Sequence, residues 1–163
     1  MSGIGKRALV TSTVIAAFVG SGLVSASNAE AATSATMSTN AYKFANSQRG
    51  KAYVLGTEGL NTYDCSGLTW RSYQKAGKSW ARTTADAQRK NQTVDITVNQ
   101  RRVGDLIFFK KKYSDKIYDH VGIYAGSGYM IDAQTGSHPG VIKEKVNNGY
   151  WNTKYVIDYR RVK

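Results

Sequence analysis

Hydrophobic and polar positions change their period twice along this chain. Ala8 to Val24 is apolar and almost uncharged, carrying Val10, Val14, Ile15, Phe18, Val19 and Leu23. Helical spacing follows. Ala41, Phe44, Ala45 and Gln48 share one face, which predicts a short helix from a Ser38-Thr39 cap to about Gln48, stopped by Gly50. Residues 50–61 read as a Gly-containing loop. A second helix is predicted over 64–76, with Asp64 as N-cap, Leu68, Thr69, Ser72, Tyr73 and Ala76 on one face, and Gly77 as its stop. A third, short one covers 84–90. Beyond that the period shortens to that of strands. DLIFF (105–109), HVGIYA (120–125), YMIDAQ (129–134), 141–146 and 155–162 are rich in β-formers and separated by Gly and Asn clusters, and Gly126-Ser127-Gly128 is a tight hairpin signal. Helices first and an antiparallel meander after describe an α+β domain with N-terminal helices packed on an antiparallel β-sheet. There is no internal repeat.

The apolar N-terminal run changes the domain count. Lys6-Arg7 precede it, and small residues ending in Ala29-Glu30-Ala31 follow it. This is the layout of a secretory signal, expected over residues 1–31 with cleavage after Ala31. The run is short for a membrane span and is interrupted by Gly20, Ser21 and Gly22, so no stable membrane anchor is expected. Residues 32–37, small and polar, read as a flexible leader, and 38–163 as one domain, within the usual domain size.

The formal charge is +12. An exported, strongly basic domain is attracted to anionic cell-wall polymers, in a generic and salt-dependent way. No helix-turn-helix, zinc or aromatic RNA-binding pattern accompanies the charge, so no nucleic acid is expected. A single Cys excludes an intrachain disulfide and a Cys-rich zinc site; with 2 His and few acids, no metal or other cofactor is expected. The expected state is a monomer.

The single cysteine carries the chemistry. Cys65 lies in Tyr63-Asp64-Cys65-Ser66-Gly67-Leu68, in the first turn of the second predicted helix, where unpaired N–H groups and the helix dipole favour a thiolate. A nucleophilic Cys needs a base. His138 sits in a turn, Thr135 to Gly140, and reads as exposed; His120 opens a strand. If the hairpin closes through a three-residue loop, Asp132 shares a sheet face with His120, two residues from directly opposite. A tighter turn centred on Gly126 makes the two directly opposed. Either spacing lets Asp132 hold the second imidazole nitrogen. Asp119 adjoins His120 and points to the opposite face.

Together these residues resemble the NlpC-type cell-wall peptidases, a papain-like family of cysteine peptidases. The resemblance runs from about Ala41 to Val162. It rests on Gly50-Lys51-Ala52-Tyr53-Val54, the D-C-S-G-L of 64–68, Arg82-Thr83-Thr84 with Asp86 and Gln88, Gly104-Asp105-Leu106-Ile107-Phe108-Phe109, and His120-Val121-Gly122-Ile123-Tyr124. It implies a papain-like fold and an exported peptidoglycan hydrolase that cuts wall stem peptides, typically between D-γ-glutamyl and a diamino acid. By position, Cys65 is then the nucleophile, His120 the base and later the acid, and Asp132 the third catalytic residue. Tyr53, Asp64 and Ser66 contact the substrate, and the Cys65 N–H is an oxyanion donor. The sequence departs from the family at the third catalytic position, usually His, Asn or Gln and here Asp132, and at Ala81 and Val103, where the family often has Pro. The other readings of the same residues are a papain-like amidase or acyltransferase, and a non-catalytic basic wall-binding protein on the same fold.

Overall fold

A computed structural model describes residues 22–113 and 116–163; residues 1–21 of the expected export signal lie outside the described residues. The first element is helix α1, Gly22–Ser47. It therefore includes residues 32–37, expected as a flexible leader, and passes through Ser38, expected as a cap. Two physical reasons account for the difference. Between Leu23 and Arg49 the sequence has many Ala and no Gly or Pro, so nothing breaks the helix. Its C-terminal part is also held by packing: Ser38, Ala41 and Ala45 are buried, with Ala41 and Ala45 in the core.

The expected loop after Gly50 contains a two-residue parallel pair, β1 (Ala52–Tyr53) with β2 (Thr62–Tyr63). Helix α2, Cys65–Lys75, starts where the sequence places it, with Asp64 as N-cap accepting from the Gly67 N–H. Helix α3, Ala85–Gln92, is capped by Thr84. Strands β3 (Thr93–Asp95), β4 (Leu106–Lys111), β5 (His120–Gly126), β6 (Tyr129–Gln134) and β7 (Gly140–Lys145) follow, then the short helix α4 (Tyr150–Lys154) and β8 (Tyr155–Val162).

The sheet is antiparallel throughout, in the order β3-β8-β4-β5-β6-β7. β4 to β7 form the expected meander, but β8 returns to the free edge of β4 instead of extending past β7. The fold is thus α+β, as the sequence implies. Alternation along the strands splits the core in two. Leu106, Phe108, Val121, Ile123, Ile131 and Ala133 pack with Ala41 and Ala45 of α1 and Leu68 and Tyr73 of α2. Ile107, Phe109, Tyr124 and Met130 face the other way, against Trp151 of α4 and Tyr155. Two links tie the helical layer and the C-terminus to the residues that lead into β4. Tyr73 donates from its hydroxyl to Gly104 O at 2.7 Å, and the buried Asp105 carboxylate accepts from Arg161 at 2.9 and 2.8 Å.

Candidate active site

Cys65 is the first residue of α2 and is 8% exposed. What fixes this helix end explains two of the sequence segments. The Asp64 carboxylate accepts from Gly67 N (2.6 Å), Ser66 Oγ (3.0 Å), Gly56 N (2.8 Å) and Arg82 Nη2 (2.7 Å). Arg82 also donates to Ser66 Oγ at 2.9 Å and pairs with Glu58 at 3.1 Å. Gln88 is buried; its amide donates to Ser66 O at 2.8 Å and its carbonyl accepts from the Thr69 hydroxyl at 2.7 Å. Gly67 is needed because a Cβ there would lie 2.1 Å from Thr57 O, a backbone atom that cannot swing aside. The helix therefore presses directly on the 54–58 segment.

His120, first residue of β5, supplies the imidazole. The hairpin register pairs Ile123 with Ile131 and Tyr124 with Met130, with a bulge near Gly126. This is the wider of the two expected spacings, with Asp132 diagonal to His120. Opposite Asp132 is Gly122, whose missing side chain leaves room for it: a Cβ there would be 3.2 Å from the Asp132 Cβ. Asp132 is fully buried, and its Oδ2 lies 2.9 Å from His120 Nε2. That contact leaves Nδ1 available to the Cys65 thiol, whose interaction with the ring is among those that raise its pKa. The Cys65 Sγ also lies 3.9 Å from Asp119 O. The Asp119 carboxylate turns to Lys111 at 3.6 Å, so it does not compete for the imidazole.

Burial alone would hold the imidazole neutral. The hydrogen bond that the ring donates to Asp132 and the interactions with Cys65 outweigh it, and the His120 pKa rises to about 10. The site thus favours an imidazolium between two acidic groups. The Trp151 indole stacks on this ring, 4.9 Å away and 11° from parallel, while Phe109 packs at 5.6 Å. Trp151 is itself fixed, since its Nε1 donates to Glu144 Oε1 at 2.9 Å. Glu144 also accepts from Gln134 (3.1 Å) and Asn148 (3.0 Å).

A cavity of about 410 Å³ opens beside the imidazole, lined among others by Tyr53, Asp119, His120, Glu144, Tyr150 and Trp151. The structure therefore brings Cys65, His120 and Asp132 together and places Tyr53 at the cavity wall. Burial, and next the charges of Cys65 and Asp64, push the Tyr53 hydroxyl pKa up. Asp64 and Ser66 are buried, and their side chains are engaged by Arg82 and by each other. His138 is exposed beside Ser137. Sequence reasoning left Arg82 and Gln88 without a role and missed Trp151 and Glu144. The first two had a signal, since their segment was singled out. The last two had none, because α4 and the far strand of the meander reach the site only through tertiary packing. Among the described residues, no group of three or more His, Cys, Asp or Glu side chains could hold a metal ion, and no helix is long and apolar enough to cross a membrane.

The profile of the NlpC/P60 family matches residues 50–160. The probable endopeptidase p60 of Listeria monocytogenes is 42% identical over 113 residues, which is 69% of this chain and 22% of that protein. The bifunctional muramidase/DL-endopeptidase CwlT of Bacillus subtilis is 33% identical over 115 residues, 70% of this chain and 33% of that protein. The chain thus spans a fifth to a third of the length of these relatives. Among solved structures, NlpC1 of Trichomonas vaginalis superimposes with a TM-score of 0.67 at 28% identity, over 78% of this chain and 44% of that one.

Proposed function

The chain belongs to the NlpC/P60 family of peptidoglycan hydrolases, and from that premise we propose that it is an exported cysteine endopeptidase cutting wall stem peptides at the D-γ-glutamyl–diamino acid bond. The observation that carries this reading is the line from Cys65 through His120 to Asp132, with the Nε2–Oδ2 contact at 2.9 Å. In this mechanism the Cys65 thiolate attacks the scissile carbonyl carbon, forming a C–S bond and pushing the carbonyl electrons onto oxygen. The Cys65 N–H, in the first helical turn and without an intrahelical partner, donates to that oxyanion. Collapse breaks the C–N bond, and the departing amine takes the proton from His120. Water then attacks the thioester while His120 removes its proton, and the carboxylic acid leaves as the thiolate–imidazolium pair is restored. Asp132 holds the ring and balances its charge at each stage.

Tyr53 is the proposed substrate contact on the open side of the cleft. Asp64 and Ser66, buried here, act by holding the helix end and its N–H groups. The basic charge holds the protein near anionic wall polymers, so added salt should weaken wall binding; salt-insensitive binding would refute that part.

Purified peptidoglycan is the substrate to test, with the Cys65→Ala protein as control and mass spectrometry of the released peptides. Cleavage after the D-glutamyl residue, lost in the variant, is expected. Release of whole stem peptides would mean an amidase. No release from walls of either diaminopimelate or lysine type, with binding retained, would mean a non-catalytic wall-binding protein.

A further inference from the structure

The two sides of the scissile bond have different places in this cleft. The departing amine takes its proton from His120, so the residue bearing that amine leaves on the imidazole side. The cavity that opens there is lined by His120 and not by Cys65. Glu144 on β7 lines it, as do Tyr150 and Trp151 from α4.

Glu144 is the unusual group. Its partners, Trp151, Gln134 and Asn148, are all neutral N–H donors, and among the described residues no cation pairs with it. Arg82, Arg161 and His120 each sit within hydrogen-bond distance of a buried carboxylate, in a chain of formal charge +12. Asp119 and Lys111, which line the same cavity, pair with each other at 3.6 Å. A half-buried carboxylate with three neutral donors, facing a cavity next to the leaving-group position, is preorganised for a cation that arrives with the substrate.

We infer that this cavity receives the residue on the amine side of the scissile bond, and that Glu144 selects one whose side chain ends in an ammonium group. The inference rests on the endopeptidase reading and names the feature of a diamino acid that the cleft reads. The aliphatic stem of such a residue lies along the exposed ring of Tyr150, beside the edge of the buried Trp151 indole, and its ammonium supplies the positive charge that the three neutral donors do not. Burial and then the Asp132 charge raise the Glu144 pKa to about 7. An ammonium group stays charged through this range, so its binding should strengthen as pH rises through 7 and Glu144 ionises.

The test uses the Cys65→Ala protein, which cannot turn over, and two probes: L-Ala-γ-D-Glu-L-Lys and L-Ala-γ-D-Glu-L-norleucine. Titrations are followed at the indole N–H resonance of Trp151. The lysine peptide should bind about ten- to a hundredfold tighter above pH 7, the scale of one charge-assisted hydrogen bond. The gap should shrink near pH 6. Glu144→Gln keeps an oxygen for the indole, so it should reduce the gap to about twofold while leaving the norleucine peptide unchanged. Equal binding of the two peptides, no binding of either, or a gap that survives Glu144→Gln overturns the inference. Hydrolysis by the unsubstituted protein separates the two readings. Both peptides cut at equal rates would leave the endopeptidase standing and remove the role of Glu144. Selective, Glu144-dependent binding without any cleavage would do the reverse.

Discussion

Asp132→Asn asks what a carboxylate does at the third catalytic position. The substitution keeps an oxygen for His120 Nε2 and removes the charge. With Oδ2 at 2.9 Å from Nε2, the two charge centres are roughly 4 Å apart. At an effective dielectric constant of about 20 their attraction is about 4 kcal/mol, equivalent to about 3 pKa units. Together with the Cys65 interactions, this is what lifts His120 from 6.5 to about 10 against its burial. The departing amine needs a protonated imidazole, so the alkaline limb of the pH–rate profile follows His120. In the unsubstituted protein that limb should lie near 10, and in Asp132→Asn it should fall by about two to three units. Near pH 6.5 the variant should keep kcat/KM within about threefold, and near pH 9 it should lose about ten- to a hundredfold. Peptide hydrolysis across pH measures this, with the ultraviolet absorbance of the thiolate followed in parallel. An alkaline limb that does not move, or an equal loss at both pH values, would refute the argument. Asp132→Ala also removes the orienting hydrogen bond, and should lose about 10² to 10⁴ at every pH.

The same shift predicts a stability profile. The folded-state pKa of His120 lies above its unfolded value, so its contribution is fully present below about 6.5 and is lost as pH rises through about 10. Urea denaturation should show that decline in the unsubstituted protein and a flatter profile in Asp132→Asn. Arg82→Met leaves the Asp64 carboxylate, 4% exposed, without its cation. A loss of about 2–3 kcal/mol is expected by denaturation, with reduced kcat, because the same bonds hold the Cys65 helix end; an unchanged midpoint would mean that Asp64 is satisfied by its N–H donors. Gly67→Ala drives a methyl group to 2.1 Å from Thr57 O. It should cost about 3 kcal/mol or more and abolish thiolate reactivity, and a stable, reactive variant would show that the 54–58 segment can move.

The legible part of this molecule is its local part. Asp64 caps α2 and Thr84 caps α3 because a short polar side chain can satisfy the first-turn N–H groups within a few residues of sequence. The β5–β6 pairing was legible in phase, since the side-chain period of two puts His120 and Asp132 on one face in either register. The choice between registers was not, because it depends on a bulge near Gly126. The helical residues 32–37 were misread because their composition was judged without the buried contacts that follow at Ser38, Ala41 and Ala45. Trp151 and Glu144 were illegible for a related reason. Neither has a local partner that marks it as functional, and their meeting over His120 depends on β8 returning beside β4 and carrying α4 with it.

The charge of the chain bears on why the third position holds an acid. Of its 11 acidic residues, Asp64, Asp105 and Asp132 are buried and paired with Arg82, Arg161 and His120. The outer surface keeps the basic excess, and a positive surface disfavours a further cation inside. A neutral amide at position 132 could orient the imidazole but could not offset that field, whereas a carboxylate in contact with the ring does so at short range, where salt does not screen it. The two contributions separate by ionic strength. At low salt the surface field acts over more than about 10 Å, so the fall of the alkaline limb in Asp132→Asn should be largest there and should shrink as salt is added. The unsubstituted protein, with its carboxylate in contact, should move much less over the same range. A fall in Asp132→Asn that is the same at low and high salt would show that Asp132 acts on His120 alone, and that the basic surface plays no part in the choice of residue.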